Sequence, residues 1–300
     1  MSSIKDRIAA APASWGICEL PGWGYQFGVE RVLADMRALG VKATELGPEG
    51  FVPGSPAEQR ALLERYGLTA LGEFCPLILH RAGQPIDEQV NEILERFGRL
   101  GADTMVIAVA TGADTYDRRP QLTETEWLTL TDNLQRVADL ASRSGVTACV
   151  HPHMGTLIQT GEEVERVLQA CDIPLCLDSG HLTVGGADAV EIARTYPHRI
   201  AHVHLKDVNL ALATAVQDGS LDYSEAVHQG LYTTLGDGDV DLATIVRSLE
   251  ADGYTGWYVP ELDRMLAGEA DGPGTVTAIR ASMEFLGALD TGADVGQEGR

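Results

Sequence analysis

Residues 104–110, TMVIAVA, are followed at 127–143 by WLTLTDNLQRVADLASR and at 146–153 by VTACVHPH. The two outer runs are short and apolar, as buried strands are, whereas the middle segment spaces its apolar residues as an amphipathic helix does. Ser144-Gly145 lies between this helix and the next strand, and a glycine in that position is typical of a helix end. The three segments predict a strand–helix–strand unit, with parallel strands and a right-handed crossover.

The same unit repeats along the chain. Short apolar runs predict eight strands, at residues 8–14, 41–47, 68–75, 104–110, 146–153, 173–178, 200–206 and 256–261. Helical spacing is clearest at residues 29–39, 88–100, 127–143 and 240–251. Eight alternating strands and helices close a (β/α)8 barrel, whereas the alternative, a doubly wound sheet, commonly carries a GxGxxG motif that is missing after the first strand.

We therefore predict an α/β protein with one TIM-barrel domain over residues 1–300. The core is expected at about 4–286, and residues 287–300 are expected to form a frayed tail. An extended loop between strands seven and eight, at 208–239, is expected to cover the mouth of the active site.

The composition limits the classes of function. Lys and Arg number 22 against 44 Asp and Glu, so the formal net charge is −22, which disfavours nucleic acid and favours a neutral small-molecule substrate. The chain has no run of about 18 apolar residues, so no membrane span is predicted. Five cysteines without CxxC pairs, and a start unlike a signal peptide, predict a cytoplasmic protein with free thiols.

Candidate metal ligands stand at the ends of four consecutive predicted strands, where barrel enzymes form their active sites. They are His151, Asp178, His204 and Glu261. Each residue type alone is commonly a helix cap or a hydrogen-bonded core residue, but four adjacent strands that all end this way predict one metal site. Mixed nitrogen and oxygen ligands suit Mn²⁺, Co²⁺, Fe²⁺ or Zn²⁺ better than Ca²⁺.

Further polar and aromatic residues lie close to these strand ends. His153, His181 and Lys206 are candidate proton-transfer groups, and the sequence does not rank them. Trp15, Glu45 and Glu73 are predicted to line the substrate pocket. For Trp15 the alternative is packing at the rim, and for the two glutamates it is an ion pair or a helix cap.

Several motifs resemble the xylose isomerase-like TIM barrels, which include sugar isomerases and epimerases, inosose dehydratases and the endonuclease IV group. The shared motifs are HPHMGT at 151–156, LDSGH at 177–181, HVHLKD at 202–207 and the late Glu261. Narrower likeness to inosose dehydratases comes from ASWGICELPGWGYQ (13–26), ELGPEGFVP (45–53), LGDGDVDL (235–242) and GWYVPELD (256–263).

The resemblance implies that Asp178, His204 and Glu261 bind a metal, with Mn²⁺ or Co²⁺ preferred and Fe²⁺, Zn²⁺ or Mg²⁺ as alternatives. In the epimerases the fourth ligand is usually a Glu that also carries a proton, whereas this chain has His151. The difference favours elimination and leaves open whether His151 is a ligand or a base. The resemblance therefore implies a hydro-lyase of myo-inositol catabolism that acts on scyllo-inosose; the alternative is a metal-dependent sugar isomerase or epimerase. A homo-oligomer is also expected, because dimers and tetramers are common in the superfamily.

Overall fold

The structure is a computed structural model that describes residues 3–290. Its strands are β1 (Ala43–Thr44), β2 (Thr69–Ala70), β3 (Gly72–Leu77), β4 (Thr104–Val109), β5 (Thr147–Val150), β6 (Leu175–Asp178), β7 (Ile200–Leu205), β8 (Asp207–Val208), β9 (Tyr232–Thr233) and β10 (Tyr258–Pro260). Its α-helices are α1 (Val29–Leu39), α2 (Pro56–Arg65), α3 (Ile86–Leu100), α4 (Glu124–Arg143), α5 (Gly161–Ala170), α6 (Ser179–Val184), α7 (Ala189–Thr195), α8 (Leu210–Gln217), α9 (Tyr223–His228), α10 (Leu242–Ala251) and α11 (Gly272–Leu289).

The strands close into the predicted TIM barrel. Six of them form a parallel sheet in the order β10-β7-β6-β5-β4-β3, and β1 pairs in parallel with β2. The first barrel strand is reduced to two bridges, in which Ile8 pairs with Tyr258 and Ala10 pairs with Thr44. These bridges connect the last strand to the second, so they complete the circle of parallel strands.

A buried arginine reinforces this closure. Arg7 donates from Nη2 to both carboxylate oxygens of Glu250, at 2.7 and 2.6 Å, and from Nη1 to the carbonyls of Tyr254 and Gly256. The Tyr258 hydroxyl donates to the same Glu250, at 2.7 Å. The start of the chain is therefore bound to helix α10 and to the last barrel strand, β10, through one carboxylate.

The structure corrects the sequence prediction at the first strand and at the C-terminal tail. The first strand does not run to Ser14, because Pro12 lacks an N–H for the ladder and Pro12–Trp15 forms a 3₁₀-helix. Residues 287–289 are not frayed but belong to helix α11, where Leu286 and Leu289 are buried. Residues 291–300 of the expected tail lie outside the described part of the chain.

The segment predicted as a long loop at 208–239 has structure of its own. Helices α8 and α9 lie between the antiparallel strands β8 and β9, and the Asn209 N–H bonds to the Leu231 carbonyl at 2.9 Å. We call residues 207–240 the insertion. Its two ends meet at Asp207, because Oδ1 of this carboxylate accepts from the N–H of Val208 and of Val240.

Most of the apolar core lies between the barrel and its helices, and a second buried cluster lies under the insertion, around Val208, Tyr223 and Tyr232. Between residues 3 and 290, no helix combines the length and the apolar character needed to cross a membrane.

Candidate active site

The predicted metal ligands lie together at the carboxyl ends of the strands. His151 follows β5, Asp178 ends β6, His204 lies in β7 opposite Asp178, and Glu261 follows β10. All four are buried, with at most 6% of their surface exposed. Parallel strands end on the same side of a barrel, and this geometry explains why residues 110 positions apart along the chain share one site.

Asp178 is oriented by the helix that it starts. Its Oδ1 accepts from the N–H groups of Gly180 and His181, at 2.9 and 2.8 Å, so the carboxylate caps helix α6. Its Oδ2 is directed away from the helix and lies 3.2 Å from His151 Nε2. Gly180 is required here because a Cβ would lie only 2.5 Å from Cβ of Lys206.

The donor atoms form several overlapping groups, two of which contain Asp178. Ligand atoms of Asp178, His204 and Glu261 lie within 4.8 Å of one another, and so do those of His151, Asp178 and His181. His204 Nδ1 is 3.1 Å from Glu261 Oε2 and 3.7 Å from Asp178 Oδ2. Asp178 belongs to both groups, and its Oδ2 lies at the centre of the arrangement.

The hydrogen bonds of His204 test whether a metal fits this cluster. Glu45 Oε1 lies 2.7 Å from His204 Nε2 and 2.7 Å from His202 Nε2, so a proton on His204 Nε2 donates to Glu45. Among residues 3–290, the buried Nδ1 then has no hydrogen-bond partner, and it faces two carboxylate oxygens. A lone pair opposite two carboxylates, with a carboxylate behind the imidazole, is the usual arrangement around a bound cation. The residues therefore fit a divalent metal.

Lys206 provides positive charge inside the cluster. Its Nζ donates to Asp178 Oδ2 at 2.6 Å and also donates to Glu261 Oε2. Burial opposes the ammonium charge, but Asp178, Asp263 and Glu261 raise the pKa of Lys206 well above its ordinary value. Against the cost of burial, the neighbouring Glu261 and Glu45 also raise the pKa of His204 well above its ordinary value. Lys206 and His204 together are still outnumbered by the four carboxylates Asp178, Glu261, Asp263 and Glu45, and this arrangement favours a bound cation.

His153 and His181 pack against each other beside the cluster, with ring centroids 3.8 Å apart and ring planes inclined by 44°. Burial, with His151 and Lys206 nearby, lowers the pKa of His153 to about 3. Burial also lowers the pKa of His181 well below its ordinary value, so both rings are neutral at pH 7. Neutral imidazoles have one bare nitrogen and one N–H, so each ring can accept or donate a proton.

A pocket opens above these groups. Its polar side is formed by Glu45, His151, His153, His204, Lys206, Glu261 and Asp263. Its lining also contains the aromatic side chains Trp23, Phe74, Tyr116 and Tyr223. A pocket lined by both polar groups and aromatic rings suits a ring whose edge carries hydroxyls and whose faces carry C–H bonds.

The three predicted pocket-lining residues have different positions. Glu45 lines the pocket and holds His202 and His204. Trp15 is a core residue, fully buried, whose Nε1 donates to Asp35 at 3.2 Å, and the tryptophan in the pocket wall is Trp23. Glu73 pairs with Arg96 and faces a neighbouring groove, so it does not reach this pocket.

The structure adds residues that the sequence analysis did not select. Asp263 lines the pocket, with Oδ2 3.6 Å from His181 Nε2, and burial raises its pKa to about 7. The sequence did contain a signal for this residue, because Asp263 lies two positions after Glu261 at the end of the same strand. Tyr223 and Tyr232 come from the insertion and had no such signal.

Comparison with known proteins identifies the family to which this chain belongs. Residues 33–289 match the xylose isomerase-like TIM barrel family, and the chain belongs to that family. Within it the chain is an inosose dehydratase-like enzyme. It is 31% identical to the inosose dehydratase of Geobacillus kaustophilus (strain HTA426) over 272 residues, which cover 86% of this chain and 87% of the relative.

Two further similarities complete the comparison. The chain is 33% identical over 273 residues to the rhizopine catabolism protein MocC of Rhizobium meliloti, with 88% of this chain and 83% of the relative covered. A crystal structure described as IOLI protein with a binding zinc atom has a TM-score of 0.69 and 16% identity, and covers 95% of this chain and 98% of that one. At this identity the structural match shows the shared barrel fold.

Proposed function

We propose that this protein is a metal-dependent dehydratase of a cyclic keto-polyol, and that its substrate is 2-keto-myo-inositol (scyllo-inosose). The observation that carries the proposal is the buried cluster of Asp178, His204 and Glu261 beside two neutral histidines at the mouth of the barrel. The similarity to proteins named inosose dehydratase supports the choice of substrate.

We propose that Asp178, His204, Glu261 and His151 hold the metal, with Mn²⁺ or Co²⁺ preferred over Fe²⁺, Zn²⁺ and Mg²⁺. When bound, a divalent cation polarises the substrate carbonyl and stabilises the negative charge that develops on its oxygen. Glu45 orients His204 through Nε2, so it is expected to strengthen binding without touching the ion.

Dehydration next to a ketone requires removal of the α-proton and protonation of the departing β-hydroxyl. His153, His181 and Lys206 are the candidates for these transfers, and all three are buried within or beside the cluster. The aromatic wall excludes water from the reacting atoms and supports the face of the ring.

The charges of the pocket favour an uncharged substrate. Among the described residues that line it, Lys206 is the one lysine or arginine, and its Nζ is already bound to Asp178 and Glu261. A phosphate ester would therefore meet carboxylates without a free cationic partner. The pocket therefore favours free polyols over sugar phosphates as substrates. The five free cysteines agree with the cytoplasmic location that we propose.

The test combines elemental analysis of the purified protein with incubation on scyllo-inosose. We expect about one divalent ion per chain and a product that has lost one water and gained ultraviolet absorbance. A product of unchanged mass would replace the dehydratase with the alternative, a sugar isomerase or epimerase. Stoichiometric substrate binding without turnover or metal would indicate a non-catalytic sugar-binding barrel.

A further inference from the structure

The backbone of Met154 contacts both of these adjacent histidines, His153 and His181. Its carbonyl oxygen lies 2.7 Å from His153 Nδ1, and its N–H lies 3.5 Å from His181 Nδ1. A carbonyl only accepts a hydrogen bond and an amide N–H only donates one. One residue therefore specifies opposite tautomers in two adjacent rings.

For His153 the carbonyl requires the proton on Nδ1. The proton-free nitrogen is then Nε2, on the far side of the ring from Met154. His153 itself lines the pocket, and its ring is held between His181 at 3.8 Å and Tyr116 at 4.7 Å between centroids. The ring thus presents a bare nitrogen in a defined orientation.

For His181 the Met154 N–H requires the reverse, because it donates to Nδ1 at 3.5 Å. The Tyr232 hydroxyl lies 3.0 Å from Nδ1 and can donate or accept; with Nδ1 as the acceptor it is a second donor, and the Tyr223 hydroxyl lies 3.2 Å from that of Tyr232. Nδ1 is therefore the acceptor, and the proton is on the buried Nε2, which faces Asp263 Oδ2 at 3.6 Å. His181 has no lone pair free for a substrate proton.

The third candidate, Lys206, donates from Nζ to Asp178 Oδ2 and to Glu261 Oε2, so these two hydrogen bonds hold Nζ within the carboxylate cluster as a donor. Hydrogen bonding alone thus selects one base among the three groups. We propose that His153 is the single acid–base group of the dehydration and that Tyr232, acting through His181, is a positioning residue. This inference rests on the proposed function.

The proposed step is balanced in protons and electrons. His153 Nε2 takes the α-proton, and the C–H electron pair moves to the carbonyl as an enolate. When the carbonyl reforms, the C–O bond of the β-hydroxyl breaks, and His153 returns its proton to that hydroxyl, which leaves as water. The imidazole is regenerated, and no oxidant or second base is consumed. The α-hydrogen and the hydroxyl must lie on the same face of the ring.

The tautomers can be measured without turnover. In ¹⁵N-histidine-labelled full-length protein, with and without Zn²⁺, long-range ¹H–¹⁵N spectra should show His153 protonated on Nδ1 and His181 on Nε2. Signals are assigned by their loss in His153→Ala and His181→Ala. Tyr232→Phe should shift His181 toward a mixture of tautomers and leave His153 unchanged, whereas the partly buried control Tyr254→Phe should change neither. A His153 protonated on Nε2, or a His181 unaffected by Tyr232→Phe, overturns the assignment.

The kinetic test separates proton removal from water loss. With scyllo-inosose in D₂O, His153→Ala should lose α-proton exchange and water loss together, each by ~10²-fold or more. The control is His80→Ala, a buried histidine away from the pocket, which should retain both. A His153→Ala enzyme that still exchanges the α-proton has another base, and this overturns the proposal. If the wild type does not dehydrate this substrate at all, the proposed function is wrong. The tautomer measurement needs no turnover, so it still tests the assignment of protons to His153 and His181.

Discussion

His204 shows how one side chain can belong to both the structural frame and the chemistry of the site. Its Nε2 is tied to Glu45 on the opposite side of the barrel, and its Nδ1 faces Glu261 and Asp178. Glu45 also accepts from His202, two residues earlier in the same strand. The carboxylate therefore fixes the strand β7 and the orientation of the imidazole at the same time.

Removing a carboxylate from the cluster should remove the metal. In Asp178→Ala and Glu261→Ala we expect metal content well below that of the wild type, because each change deletes an oxygen that we propose as a metal ligand. Elemental analysis measures this, and circular dichroism checks the fold. Asp172→Ala, an exposed aspartate just before β6, is the matched control and should keep its metal. Full occupancy in both ligand variants would refute the site.

Glu45→Gln should weaken metal binding without removing a proposed ligand. Loss of the charge behind His204 lowers the basicity of its Nδ1, and such changes typically reduce metal affinity by about 10- to 100-fold. Competition with a chelator gives the affinity. Glu49→Gln, an exposed glutamate in the same loop, should have wild-type affinity. Equal affinities in the two variants would show that Glu45 has no part in the site.

The strand-end residues could be located from the sequence, because period-two alternation can be read along each strand. Closure of the barrel then brings the ends of all parallel strands to one side. Sequence reasoning could not place Trp15, since the 3₁₀-helix that starts at Pro12 turns the indole into the core. It also could not place Tyr223 and Tyr232, because their positions depend on how the insertion folds over the barrel.

Among the secondary-structure elements, those of the insertion add the most to the barrel. The alternation of strands and helices was readable from the sequence, and helix α1 has the predicted bounds of 29–39. The insertion was taken for a loop because α8 and α9 are short and their apolar faces have no long periodic pattern. Their caps were visible in the sequence, since Asn209 and Asp222 precede the two helices.

Asp207→Asn should loosen the turn that ends the insertion. Asp207 Oδ2 accepts from the N–H groups of Gly236 and Gly238, at 2.8 and 3.0 Å, and an amide would point its own N–H₂ at donors. We expect faster hydrogen exchange at both glycines and a loss of about 2–3 kcal/mol in the free energy of unfolding. Asp237→Asn, exposed in the same turn, should change neither. Unaltered exchange in Asp207→Asn would show that the carboxylate does not hold the turn.

The barrel as a unit depends on the contact between its two ends. Because the first strand is reduced to bridges at Ile8 and Ala10, its ladder supplies few hydrogen bonds. The Arg7–Glu250 pair compensates at the bottom of the barrel, opposite the active site.

Arg7→Met should therefore destabilise the protein while sparing the site. Glu250 and two carbonyls lose their donor, and we expect a loss of about 2–4 kcal/mol, or a Tm lower by on the order of 5 °C. Thermal unfolding followed by circular dichroism measures this, and metal content should be unchanged. Arg247→Met removes an exposed arginine from the same helix and should leave Tm near the wild-type value. Equal Tm values for the two variants would contradict the proposed role of Arg7 in closure.

The insertion leaves the barrel and returns to it at almost the same point, since Asp207 accepts from both Val208 and Val240. Because its two ends lie next to each other, the insertion can be exchanged as a cassette without changing the order of the strands before and after it. Its tyrosines reach the pocket wall and the back of His181, whereas the cluster that we propose as the metal site comes from the barrel alone. Grafting this cassette between related barrels should transfer preferences among polyols while the reaction type stays with the recipient.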